Sequence, residues 1–88
     1  MKTIWKWPLF PETETVINIP PDAQVLTIKL QDGLPHIWIL MEPEAPTVRR
    51  TFCVYGTGHP MPDNPGKYIG TVLMNSDRLV FHVFETSQ

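Results

Sequence analysis

Ten prolines punctuate this chain, and they fall at the ends of runs in which side chains alternate with a period of two. Proline cannot donate to a ladder and breaks a helix interior, so a chain cut this often leaves room for short strands and turns. No window carries capped helical periodicity. The expected class is all-β: a single small antiparallel sandwich or partly open barrel of about seven strands, one domain over residues 1–88.

The strands can be placed from the runs themselves. Lys2 to Trp7 alternates Thr3, Trp5 and Trp7 with Lys2, Ile4 and Lys6, and Pro8 and Pro11 end it. Leu9 and Phe10, between those prolines, are expected to tuck under the core. Glu14 to Ile19 is β-branched and alternating, and Pro20-Pro21-Asp22 stops it. Gln24 to Gln31 sets Leu26, Ile28 and Leu30 on one face and Val25, Thr27 and Lys29 on the other. Asp32-Gly33 follows, then the run Pro35 to Glu42, which predicts a hairpin with a two-residue turn. Val48 to Tyr55 gives another strand. Lys67 to Met74 and Arg78 to Glu85 flank the polar turn Asn75-Ser76-Asp77 and predict a second hairpin.

Several of these strands are apolar on both faces. In the last, Leu79, Phe81 and Val83 point one way and Val80, His82 and Phe84 the other, and so small a chain has little second layer to cover both. Either the sheets pack face to face around these strands, or one face is buried against another copy; the favoured expectation is the second, a homo-oligomer through a face containing Phe81 or Phe84.

Composition narrows the partners. A formal charge of −2 argues against general nucleic-acid binding, which needs a strongly basic face. No apolar run approaches the roughly 20 residues that span a bilayer, and no charged-then-apolar leader opens the sequence. Cys53, the single cysteine, has no internal disulfide partner, which points to a reducing cytoplasm. Charge is unevenly spread. From Ala45 to Ser76 the cations Arg49, Arg50 and Lys67 face one acid, Asp63, whereas the remainder carries four cations against eight acids. One surface can thus attract anions on a chain that otherwise repels them.

The densest stretch is Tyr55 to Thr71, Y-G-T-G-H-P-M-P-D-N-P-G-K-Y-I-G-T, with four of the five glycines and three prolines. It reads as a shaped loop between strands, and loop-length costs grow slowly enough that shortening it is expected to spare the fold. Gly56-Thr57-Gly58 is not a dinucleotide fingerprint, because the third glycine is missing and prolines follow where a helix must begin. Gly66-Lys67 is followed by Tyr68 and a strand, so a phosphate-binding P-loop fails as well. Backbone N–H groups of such a loop can still cradle an anion, Arg49, Arg50, His59 and Lys67 can pair with phosphate, and Tyr55, Tyr68 or Trp38 can stack on a base.

Catalytic and metal constellations are thin. Cys53 with His59 or His82 is the one triad-like set, and Cys53 lies mid-strand between Phe52 and Val54, where cysteine acts as a small hydrophobe. His36, His59 and His82 lack close ligand spacing. The carboxylates Glu12, Glu14, Glu42, Glu44 and Glu85 fall at strand ends or in loops and read as solvated rims. A non-enzymatic protein with neither metal nor cofactor is the expectation.

Four ordered motifs, M-K-T-I-W-K-W-P at the start, R-T-F-C-V-Y-G-T-G-H-P in the centre, G-K-Y-I-G-T at Gly66 to Thr71 and L-V-F-H-V-F-E near the end, resemble a family of small proteins encoded in phages and prophages. The resemblance spans nearly the whole chain. It implies a phage-associated accessory protein made inside a bacterial cell, and it brings no catalytic residues, because the family has no assigned activity. The favoured expectation is a non-catalytic binder of a small anionic, nucleotide-like ligand, such as a host defence signal that a phage sequesters. Its site residues are Arg49, Tyr55, Gly56, Thr57, Gly58, His59, Lys67 and Tyr68. The alternative is an inhibitor or adaptor that grips a host or phage protein through a strand edge or the aromatic patch around Trp5 and Trp7.

Overall fold

The computed structural model describes residues 1–11, 13–75 and 78–86. Seven strands follow in order: β1 (Thr3–Pro8), β2 (Glu14–Ile19), β3 (Gln24–Gln31), β4 (Leu34–Met41), β5 (Val48–Gly56), β6 (Lys67–Met74) and β7 (Leu79–Glu85). They form a three-stranded sheet ordered β1-β4-β3 and a four-stranded sheet ordered β2-β5-β7-β6, every pairing antiparallel. The sheets face each other without closing into a barrel, which makes the fold sandwich-like. Pro8 does not end β1 but belongs to it, opposite His36, at an edge position where a missing donor costs little.

The β3–β4 hairpin turns at Asp32 and Gly33 with φ of 53° and 79°, the paired left-handed geometry for which aspartate and glycine are suited. Of the second turn, Ser76 and Asp77 lie outside the described residues, as does Glu12. Between the sheets sit Leu9, Ile17, Ile19, Ile37, Ile39, Phe52, Val54, Val72, Phe81 and Val83, all buried. Leu9 is tucked in as expected, while its neighbour Phe10 is half-exposed.

Two bulges change which side chains meet the core. In β3 the register shifts between Val25 and Thr27, so Leu26 is left without a ladder partner and is 42% exposed, while Val25 and Ile28 turn inward. The expected common face of Leu26, Ile28 and Leu30 is thereby broken, because one extra residue inverts a period-two pattern. In β6 the register shifts between Tyr68 and Gly70, which brings Ile69 against the core and aims Tyr68 outward. Gly70 then lies beneath Ile28, whose Cδ1 would stand 3.0 Å from a Cβ there. That gap lets β3 and β6 approach closely and shuts one side of the sandwich.

β7 lies between β5 and β6, so β5 and β6 run parallel to each other and their connection cannot be a hairpin. The 57–66 loop must carry the chain from the level of Phe81 back to the level of Glu85 and across β7. It passes the end of β7 at Gly66, whose φ is +96° and where a Cβ would meet the Glu85 carbonyl oxygen at 2.1 Å. Only glycine fits this crossing. The glycine- and proline-rich stretch is thus a crossover laid on the outer face of the four-stranded sheet.

Candidate functional site

Side chains alternate across β5, and the alternation sorts its two arginines. Arg50 shares the inward side with Phe52 and Val54. Its guanidinium makes a forked pair with Glu85, Nε to Oε2 at 2.6 Å and Nη2 to Oε1 at 2.8 Å, and Nη1 donates to the Ala23 carbonyl at 2.7 Å. The hydrogen bond to Glu85 outweighs burial and holds Arg50 above its ordinary range. Glu85 is therefore no solvated rim: it anchors the inward arginine. Arg49 points the other way, exposed and without an ion pair among the described residues.

Arg49, Thr51, Cys53 and Tyr55 form the floor of a groove of about 570 Å³ on the outer face. Glu14 and Val16 of β2 wall one side, and Pro62 and Asn64 of the crossover roof the other. At Tyr55 the groove meets a second hollow of about 420 Å³, where Glu14, Cys53, Gly56, His59 and Pro60 converge. His59 is fixed by its turn: its N–H donates to the Gly56 carbonyl at 3.1 Å, and its ring lies so close over Gly56 that a Cβ there would stand 2.7 Å from Nδ1. Gly58, at φ +85°, permits that turn.

The remaining expected residues separate. Lys67 and Tyr68 border a different hollow of about 610 Å³, near Arg50 and Glu85, on the side where β3 meets β6. Thr57 faces β7, where its hydroxyl lies 2.7 Å from His82 Nε2, while His82 Nδ1 lies 3.1 Å from Thr71 Oγ1, which in turn is 2.5 Å from the Tyr68 hydroxyl. One set of donors satisfies this row. Tyr68 donates to Thr71, Thr71 to Nδ1, Nε2–H to Thr57, and Thr57 to the Val80 carbonyl at 3.3 Å. His82 is thus held on both nitrogens and ties the start of the crossover to β6 and β7.

Beside that row Phe84 stands between Tyr55 and Tyr68, with ring centroids 6.1 and 5.5 Å away in edge-on geometry. The outward side of β7 is partly covered by these tyrosines, and the inward side, Phe81 and Val83, is core. Phe81 is consequently unavailable to an interface. Trp38 also lies on an outer face, that of the other sheet, half-buried and 6.0 Å from His36.

Burial pushes the Cys53 thiol and the Tyr55 phenol up from their ordinary ranges. Cys53 therefore stays a thiol at neutral pH rather than a nucleophilic thiolate. Among the described residues no three His, Cys, Asp or Glu side chains gather as metal ligands. The groove is suited to holding a molecule, with a cation at one end, an aromatic ring at the other and a carboxylate along the wall. Glu14 and Asn64 are among the lining residues that sequence reasoning missed; the strand pairing of Glu14 with Cys53 is what brings the carboxylate there.

No curated protein and no solved structure matches this chain. Over residues 1–88 it matches a family described as a domain of unknown function (DUF7352), and the chain belongs to that family.

Proposed function

We propose that the protein is a non-catalytic binding module for a small anionic, nucleotide-like ligand, held in the groove between the outer face of β5 and the crossover. The observation that carries this reading is the exposed, outward-pointing Arg49 at one end of a roofed groove whose other end is Tyr55. A guanidinium forks onto phosphate, and a phenol ring offers a face for a base. Glu14 sharpens the chemistry. A carboxylate repels a simple polyanion but accepts hydrogen bonds from exocyclic amino or ring N–H groups, so it favours a ligand with phosphate at one end and donors at the other. Lys67 and Tyr68 take no part in this version of the site.

The motif resemblance supplies a setting: a phage-encoded accessory protein in a bacterial cell, sequestering a nucleotide signal of host defence. Calorimetric titration with nucleoside monophosphates, linear and cyclic dinucleotides and inorganic phosphate tests the reading. Arg49→Ala is expected to weaken the best ligand by about 10- to 100-fold, and Lys67→Ala to leave its affinity unchanged. Absence of binding by the wild type, or equal losses from the two variants, overturns the proposal.

A further inference from the structure

Trp5 occupies an anomalous position. Its ladder partner across β4 is Ile39, which is fully buried, so the Trp5 side chain points toward the space between the sheets. It is nevertheless 49% exposed. The cause is the shape of the sandwich. On one side Gly70 lets β3 and β6 close together, whereas on the other β1 and β2, each paired along one edge only, stand apart. A cleft of about 770 Å³ opens between those free edges, lined by Trp5, Trp7 and Ile17 and rimmed by Lys6, Val16 and Asn18.

We infer that this cleft is a docking site for an extended, acidic segment of a partner protein, which adds as a strand to the free edge of β1. Unpaired backbone groups along an edge give such a segment its hydrogen bonds, and alternate side chains give it specificity. Inward positions of the incoming strand would fill the space beside Trp5 and Trp7, which are 6.2 Å apart between ring centroids and call for small β-branched or aliphatic groups. Outward positions would run beside Lys2, Ile4 and Lys6. Two lysines at that spacing on a chain of net charge −2 mark the edge as locally cationic, so the complementary segment carries acids four residues apart.

The same charges disfavour a second copy of this chain. Antiparallel self-pairing about Ile4 sets Lys2 against a second Lys6, self-pairing about Lys6 sets like against like, and self-pairing about Trp5 leaves both lysines without an acid. The start of β1 is held in place by its neighbours. The Met1 ammonium donates to both Glu42 carboxylate oxygens, at 3.0 and 2.9 Å, and Lys6 reaches Gln31 across the sheet. The cleft and the groove at Arg49 share Val16 of β2 as a border but are otherwise lined by different residues, and neither reading depends on the other.

Binding is measured on the full chain with two capped peptides, Glu-Val-Thr-Val-Glu-Val and Lys-Val-Thr-Val-Lys-Val. The glutamate peptide should slow hydrogen exchange of the amides at 3–8, shift tryptophan emission to the blue and bind roughly tenfold more tightly than the lysine peptide. A Lys2→Glu/Lys6→Glu variant, altered only at exposed side chains, should reverse that preference, and Trp5→Thr should weaken the glutamate peptide while keeping the preference. Equal affinity for the two peptides, no change in exchange at 3–8, or protection that grows with protein concentration in the absence of peptide would each overturn the inference, the last in favour of a second copy.

Discussion

Arg50 and Glu85 are each only about one-sixth exposed at the side chain, at 15% and 16%, and between them they join β5, β7 and the carbonyl of Ala23 that precedes β3. Arg50→Ala leaves a sheltered carboxylate and a carbonyl without partners, and should lower stability by about 3 kcal/mol in denaturant titration. Arg50→Lys should restore little, because an ammonium cannot reproduce the fork. Thr15 presents the opposite case. Its hydroxyl is the one buried side-chain polar atom without a hydrogen-bond partner among the described residues, so Thr15→Val, nearly equal in shape, is expected to raise stability by about 1 kcal/mol in the same titration. Cys53 and Tyr55 set an alkaline limit. Their ordinary values are 9.0 and 10.0, and burial raises both, so well below pH 9.0 neither group makes stability vary with pH. Above it the unfolded chain loses protons before the folded one does, and stability should fall as pH rises. Cys53→Ala should lose the thiol's share of that decline, which thermal melts from pH 8 upward would reveal. The opposed faces of Arg49 and Arg50 were legible from strand alternation alone, whereas the partner of Arg50 was not, because Glu85 lies 35 residues away and reads locally as a terminal acid.

At the level of elements, β2, β3 and β6 begin and end where alternation and proline place them, and the Asp32-Gly33 hairpin follows from two residues that tolerate positive φ. The inner and outer faces of β3 and β6 were less legible. A bulge adds one residue, carries no strong local signature at Leu26 or Ile69, and inverts the face of everything on one side of it. Strand order was hidden for a related reason: that β7 slots between β5 and β6 depends on packing over a long separation, not on the loop sequence. This changes what the loop can tolerate. The end of β5 and the start of β6 are offset by four residues along β7, about 14 Å, and by two strand spacings, about 10 Å, so the crossover spans about 17 Å. Deleting residues 60–65 leaves a bridge that reaches this far only when fully extended. The deletion should therefore lower the unfolding midpoint steeply, whereas alanine replacement of Pro60 and Pro62, which preserves length, should not.

Considered whole, the molecule is a wedge, shut where Gly70 admits Ile28 and open where Trp5 stands half in solvent. The two-sided apolar character of β7 suggested a second copy; Phe81 and Val83 face the core, which closes the inward side of that strand to an interface, while the tyrosines 55 and 68 cover Phe84 on the outward side only in part. Phe81→Asp should accordingly abolish cooperative unfolding in circular dichroism rather than separate subunits, because it sets a lone charge between the sheets. The insertion of β7 between two earlier strands also bears on time. On the ribosome β5 and β6 emerge before the strand that joins them, so β6 has no ladder partner, and Lys67–Met74 no registered place, until Leu79–Glu85 has been made. A nascent chain arrested before Leu79 has left the exit tunnel can form the hairpin of β3 and β4 but not the outer face on which Arg49 and Tyr55 meet the crossover; the groove waits for the strand that is made last of the seven.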